Sequence, residues 1–302
     1  MGKRGTGMER AYEPLNKDDT GHQPSGWEGV LVLDRTDELG EADVLYPFAL
    51  EELLCRYAGE GGPSIVHLWR HPRAFVMGLR DSRLPGAPQA TRWLQAQGYN
   101  VAVRNSGGAA VPLDLGVVNV SFIRAKRRKG DLDFRDDFET MYELIATALR
   151  EAGGGVDKGE IVGAYCPGDF DLSIGGRKFC GIAQRRQQHA YVVQAFVVAE
   201  GAGTAKARLA RAFYERAAEG AAADAAYPRV TEDSMASLTE LLGERFGGAA
   251  AFADAVKRVV RERQSEAGLA AASAKLWLPQ AAEVREMAEQ MRARYGILEK
   301  PQ

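Results

Sequence analysis

Asp169-Phe170-Asp171-Leu172-Ser173-Ile174-Gly175-Gly176-Arg177-Lys178-Phe179-Cys180-Gly181-Ile182-Ala183-Gln184-Arg185-Arg186, with Cys166-Pro167-Gly168 just ahead of it, is the stretch on which the reading of this chain turns. Residues 172–174 and 177–182 have the composition of short strands. Gly175-Gly176 between them supplies the positive φ values that a tight hairpin turn needs. If side chains alternate along the second strand, Phe179 packs in the core, Lys178 points to a ligand side and Cys180 shares that side. Cys166, before a Pro-Gly turn, is expected on a loop. A lysine ammonium close to it would favour thiolate over thiol and lower the thiol pKa, and the thiolate is the competent nucleophile. Cys180 is the rival nucleophile, and a buried, inert Cys166 is the bland alternative.

Outward from this hairpin, a third strand is expected at 191–198. Upstream, strands are expected at 29–33, 64–69, 74–77, 100–104 and 117–123, with helices at 47–55, 88–97 and 136–152. After Gly203 the chain becomes alanine-rich, and amphipathic helices are expected at 205–218, 235–243, 250–264 and 280–295. This order is α+β: a mixed, largely antiparallel sheet with flanking helices and a helical C-terminal end. The expected organisation is a flexible tail at 1–26, a catalytic domain at 27–250, and C-terminal helices packed on it at 251–302.

Composition narrows the function classes. A formal net charge of −2 makes no electrostatic case for nucleic acid. No stretch approaches the roughly 18 continuous apolar residues of a membrane span, and the N-terminus lacks an apolar signal core. The 3 cysteines form neither a disulfide framework nor a zinc set, so a reducing, cytoplasmic setting is expected. The run Lys126-Arg127-Arg128-Lys129 reads as a solvated loop, with docking of an acidic carrier protein as the alternative. No metal-ligand spacing, Walker loop or Rossmann fingerprint is present, so no metal and no cofactor is expected.

A second constellation is Arg104-Asn105-Ser106-Gly107-Gly108-Ala109-Ala110-Val111, followed by Asp114, Gly116 and Asn119. Paired glycines after a strand permit close approach of backbone to ligand, and adjacent N–H groups can donate to a carbonyl or phosphate oxygen. A structural turn reads equally well. Trp69, Phe75, Met77 and Val103 are candidate pocket-lining residues, or ordinary sheet core.

Together these segments resemble the lipoate-protein ligase, biotin ligase and octanoyltransferase superfamily. The Arg104–Val111 loop looks like the R-R-x-S-G-G-G-A-V loop of that superfamily, residues 113–121 like its H-D-x-G-x-x-N-x-S continuation, and residues 176–184 like its G-K-K-I-A-G-x-A-Q strand. The Cys166 segment is most similar to the lipoyl amidotransferase branch. The resemblance implies a class II aminoacyl-tRNA synthetase/biotin ligase-like fold. It implies an octanoyl or lipoyl group moving from the glycine cleavage H protein to a lysine of lipoyl domains of 2-oxo acid dehydrogenases through a cysteine thioester. It assigns Cys166 as nucleophile and Lys178 to lowering its pKa and positioning the acyl carbonyl. Arg104, Ser106, Gly107, Gly108, Asp114 and Gly181 are assigned to substrate binding, with the Gly107 and Gly108 N–H groups as oxyanion donors. Three departures point away from an ATP-dependent lipoate-protein ligase: Leu113 stands at the ligase histidine, Ala109 at its third glycine, and the C-terminal end is helical. Acyl carrier protein is the alternative donor, and a catalytically silent carrier-binding module is the reading from another class.

Overall fold

The computed structural model describes residues 26–126, 135–222 and 224–297. Apart from Gly26, the expected tail lies outside these residues, as do Arg127, Arg128 and Lys129 of the basic run. The strands are β1 (Leu31–Arg35), β2 (Ile65–Trp69), β3 (Arg73–Met77), β4 (Asn100–Val103), β5 (Val111–Asp114), β6 (Val117–Ala125), β7 (Asp157–Lys158), β8 (Leu172–Ile174), β9 (Arg177–Arg186) and β10 (Ala190–Val198). The helices are α1 (Leu45–Gly59), α2 (Ala87–Ala96), α3 (Arg135–Leu149), α4 (Gly203–Ala217), α5 (Leu238–Leu242), α6 (Gly248–Glu262), α7 (Glu266–Ser273) and α8 (Ala281–Tyr295).

The main sheet runs β1-β2-β6-β10-β9-β8-β7. Its β1–β2 pair is parallel and its remaining pairs are antiparallel. The α+β expectation therefore holds. Three features were not anticipated: a small second sheet, β4-β3-β5, the two-residue strand β7, and α7. The β5 segment follows the glycine-rich loop so closely that its strand pattern is only four residues long. Alanine dominates α7 and gives no apolar stripe to read.

Each face of the main sheet is sealed by its own apolar cluster. On one side Phe122, Val118, Val120, Val193 and Val197 pack with Leu144 and Ile145 of α3 and Phe252, Val256 and Val260 of α6. On the other, Ile65, Ile123, Val192 and Phe196 lie with α1, α4 and the small sheet. The second side contains the pocket described below. The α1 helix is buried over most of its surface, between the sheet and α8, which explains why apolar residues recur on more than one of its faces.

The β8–β9 hairpin turns at Gly175 and Gly176, at φ 58° and 76°, as its sequence requires. Beyond the turn, Leu172 pairs with Cys180 while Ser173 pairs with Lys178, so Phe179 is an extra residue in β9. This β-bulge breaks the alternation. Phe179 and Cys180 both enter the α3/α6 cluster. Lys178 turns to the opposite side, as expected, but Cys180 does not share that side. Where β9 leaves β10, its free edge is taken up by the 232–236 segment: Ala236 N–H donates to Lys178 O at 2.9 Å.

That segment runs directly into α5, whose N-terminus carries a capping box. Ser237 Oγ accepts from Glu240 N–H at 3.2 Å and Glu240 accepts from Ser237 N–H at 2.7 Å. Replacing a capping hydroxyl by alanine costs about 1 kcal/mol. Ser237→Ala should lower the denaturation midpoint accordingly in urea melts followed by circular dichroism, with the native spectrum unchanged.

Candidate active site

The hairpin, the segment before it and the glycine-rich loop meet at Cys166. Its backbone φ is 48°, the only positive value at a non-glycine residue among those described. An L-residue holds that conformation only where its surroundings impose it. Here the surroundings are Lys178. Its ammonium, fully buried, donates to Tyr165 O at 2.9 Å and Cys166 O at 2.6 Å and pairs with Asp171 Oδ1 at 2.8 Å. The three N–H bonds of a lysine ammonium thus have three acceptors, and two of those are the carbonyls that define the Cys166 turn. Burial pushes the Asp171 carboxyl up to about 6, with the Lys178 charge pulling against it.

The sulfur itself is held from the other side. Ala109 N–H donates to Cys166 Sγ at 3.2 Å and the Arg104 guanidinium approaches it at 3.5 Å. Arg104 is buried, and it also donates to Gly107 O at 3.0 Å and Ala109 O at 2.6 Å. It therefore folds its own loop around the thiol. Behind the loop, Ala110 N–H donates to the Tyr214 hydroxyl, which donates in turn to Asp81 Oδ1. Gly78 N–H meets the other Asp81 oxygen at 2.8 Å. Burial raises the Asp81 carboxyl above its ordinary range, against these hydrogen bonds. Tyr214 comes from α4, so the distal helix braces the donor loop. Nothing in the spacing of the glycine motif announces that brace.

Cys166 is 7% exposed, buried more deeply than a loop position suggested, but it lines a pocket. Cys55 and Cys180 are both at 0%. Burial drives the Cys55 thiol up to about 12 and that of Cys180 well above its usual value, the nearby Lys178 notwithstanding. Cys180, unlike Cys166, does not line the pocket.

The pocket is narrow and partly open to solvent, and its lining is mainly apolar. One wall is a cross-strand row in which Trp69, Asn119, Phe196 and Gly181 sit opposite one another on successive strands. The neighbouring row contributes Ser121, Gln194 and Ala183. Phe48, Val76, Val111 and Leu113 close the other sides. Of the four candidate lining residues, only Trp69 faces this space. In β3 it is Val76 that points in. Phe75 packs on Phe213 of α4, with ring centroids 4.7 Å apart, while Met77 and Val103 line a separate groove between α2 and α8. Gly181 is needed for close approach: a Cβ there would lie 2.6 Å from the Phe196 ring and 3.2 Å from Lys178 Nζ.

The pocket wall also has a polar patch that the sequence did not single out. Glu51 of α1, 1% exposed, is bonded to His67 Nδ1 at 2.9 Å, Trp69 Nε1 at 3.1 Å and Gln194 Nε2 at 2.5 Å. The available signal was an acidic residue inside the otherwise apolar run Phe48-Ala49-Leu50-Glu51.

The remaining candidates divide. Ser106 is buried beside Arg104 in the loop. Gly107 N–H is engaged with Gln184 O at 3.3 Å. Asp114 pairs with Lys206 at 2.7 Å, accepts from Gly116 N–H at 2.9 Å and borders a different surface depression. It is not brought to Cys166. Lys126, the one described residue of the basic run, donates its N–H to His189 O.

Gly108 has φ +89°, and a Cβ there would lie 2.9 Å from Cys166 Sγ and 2.6 Å from Arg104 Nη2. Gly108→Ala should therefore slow alkylation of Cys166 at least tenfold, and it should also lower the melting temperature, because an alanine at positive φ is strained. In the native wild-type protein, peptide mass spectrometry after brief iodoacetamide treatment should find label on Cys166 and none on Cys55 or Cys180.

Comparison with known proteins places this arrangement. Residues 43–262 match the Lipoyl protein ligase A/B catalytic domain. A protein of Geobacillus kaustophilus (strain HTA426) named Octanoyl-[GcvH]:protein N-octanoyltransferase is 45% identical over 202 residues, which cover 67% of this chain and 71% of that protein. A protein of the same name from Anoxybacillus flavithermus (strain DSM 21510 / WK1) is 42% identical over 214 residues, 70% of this chain and 77% of its own. Among solved structures, a lipoate-protein ligase A bound with ATP superposes with a TM-score of 0.61 at 19% identity, covering 89% of this chain and 98% of that one. A bipartite lipoate protein ligase from Thermoplasma acidophilum gives 0.60 at 20% identity, covering 91% and 98%. The distant likenesses carry the fold, the near ones the lineage, and the chain belongs to the Lipoyl protein ligase A/B catalytic-domain family.

Proposed function

We propose that this chain is an acyltransferase that moves an octanoyl (or lipoyl) group from the glycine cleavage H protein to a lysine of lipoyl domains of 2-oxo acid dehydrogenases, through a thioester on Cys166. The observation that carries the reading is a cysteine at an apolar pocket with a backbone N–H and a guanidinium on its sulfur. Positive charge and oriented N–H dipoles favour the thiolate over the thiol. An octanoyl chain seated against Phe48, Trp69, Val76 and Leu113 gains ~0.8 kcal/mol for each methylene removed from water.

The chemistry is two acyl transfers. The Cys166 thiolate adds to the carbonyl of the donor's lysine amide. The C–N bond breaks, the donor lysine leaves as an amine that takes up one proton, and the acyl group stays on sulfur. The acceptor lysine, as free amine, adds to the thioester, loses one proton and releases the thiolate. One amide replaces another, so the exchange needs no nucleotide. The oxyanion of each addition forms two bonds from sulfur, on the oxygen of the carbon that sulfur joins, within reach of the Ala109 N–H and Arg104. Donors so placed contribute on the order of 2.7–4 kcal/mol. On this reading Lys178 holds the turn that aims the sulfur and supplies charge to it from below the loop. Gly181 and Ser106 shape the space for the substrate's carbonyl end.

The names of the relatives favour the H protein as donor over acyl carrier protein. No helix among the described residues is long and apolar enough to cross a membrane, consistent with action on free carrier domains.

Purified protein should transfer octanoyl from acylated H protein to an apo lipoyl domain without ATP or magnesium, with an octanoyl adduct on Cys166 by intact-mass spectrometry. Strict dependence on ATP with free octanoate would overturn this in favour of a ligase. Transfer from octanoyl-acyl carrier protein alone would replace the donor. Cys166→Ser should abolish transfer, whereas Cys55→Ala and Cys180→Ala should retain most of it. Lys178→Met should move the pH midpoint of Cys166 alkylation upward, because a neighbouring cation favours thiolate.

A further inference from the structure

We propose that Asp171 is a positioning residue for the acyl transfer: it supplies the countercharge that keeps Lys178 an ammonium inside the protein, and through Lys178 it holds the Cys166 turn in its left-handed conformation. This rests on the reading of Cys166 as the acylated residue.

The geometry assigns the role by elimination. Lys178 Nζ has three partners, and two of them, Tyr165 O and Cys166 O, are neutral carbonyls. The third, Asp171 Oδ1 at 2.8 Å, is the one formal negative charge in contact with it among the described residues, and both side chains are at most 1% exposed. The other titratable groups close to Lys178 are Tyr165 and Cys166, whose carbonyls it holds, and Cys180, which points to the opposite side of the sheet but feels its charge. Burial raises Tyr165 and Cys180 far enough to keep both neutral. The Phe196 ring, 5.5 Å from Nζ, completes the surroundings. An ammonium in such a site without a counterion loses its proton rather than bear the desolvation. Asp171 lies on the segment that leads from Cys166 into β8, and Lys178 returns on β9. The pair therefore pins the nucleophile's turn to the hairpin at both ends.

This makes a prediction of sign. An anion acting only as a nearby charge opposes thiolate formation, so removing it should ease ionisation of Cys166. An anion that holds the proton on Lys178 supports thiolate formation, so removing it should hinder ionisation. The experiment uses the full chain with Asp171→Asn, Lys178→Met and the double variant. It reads the pH profile of Cys166 modification by iodoacetamide through peptide mass spectrometry, with thermal melts to establish folding.

The expected result is that Asp171→Asn moves the midpoint to higher pH, as Lys178→Met does, that the double variant moves it no further than Lys178→Met, and that octanoyl transfer by Asp171→Asn falls at least tenfold. A midpoint that is unchanged or lower in Asp171→Asn overturns the proposal. If Asp171→Asn does not fold, Lys178→Met is compared with the double variant. The double should melt at the higher temperature, since it no longer buries a lone carboxylate, and should keep the same midpoint. A midpoint below that of Lys178→Met would show Asp171 acting on the sulfur directly and would equally overturn it. Alkylation needs no acyl donor. The expected shifts together with no octanoyl adduct on wild-type Cys166 would therefore sink the acyl-enzyme reading and leave the Asp171–Lys178 pairing standing.

Discussion

A lysine side chain with no access to water has to be surrounded by acceptors or give up its proton. Lys178 is surrounded, and the shape of the site follows from what surrounds it. Two of its hydrogen bonds end on the consecutive carbonyls of Tyr165 and Cys166. Two consecutive carbonyls can converge on one donor only if the chain turns sharply between them, and Cys166 makes that turn at φ 48°. Bond directions, rather than contact with the thiol, transmit the influence of Lys178 to Cys166. The strand pays for this with a bulge: Phe179 is squeezed out of register, and Lys178 faces the pocket side while Phe179 and Cys180 both feed the opposite core.

The two cations at the site are consequently not interchangeable. Arg104 meets the sulfur itself and ties the glycine-rich loop into a cup around it. Its planar fork donates in several fixed directions at once, which a lysine does not do. Lys178 has its bonds committed to the far side of the same residue. Cys55 and Cys180 show the contrast. Both are free and fully buried, and burial is the largest influence on their acidity, outweighing the nearby cations that act against it.

Much of this was legible in the sequence, for identifiable reasons. Gly175-Gly176 fixes its turn by backbone sterics alone, so the hairpin and the opposed directions of Lys178 and Phe179 could be read locally. The placement of Cys180 could not, because a bulge is decided by what the neighbouring strands and the 232–236 segment require. The pocket lining failed for a similar reason. Alternation says that Val76 opposes Phe75 and Met77, but not which set faces the cavity, and Phe213 of a helix more than a hundred residues away decides it. Glu51, Tyr214 and Asp81 are single polar residues in apolar or unremarkable contexts, and their significance lies in contacts between distant segments. Asp114 belongs to the motif but is spent on Lys206 and on a turn.

The rigidity of the Cys166 turn has a consequence for how two large substrates share one small catalyst. A segment pinned through both of its carbonyls and through Asp171 does not swing an acyl group from one side of the protein to another. Among the described residues, the pocket that Cys166 lines is partly open to solvent. In the proposed reaction the two carrier proteins must therefore come to the same doorway in turn, the first departing before the second can present its lysine. Donor and acceptor then compete for the empty enzyme, and an excess of unacylated acceptor slows the cycle by occupying the entrance before any acyl group has been loaded.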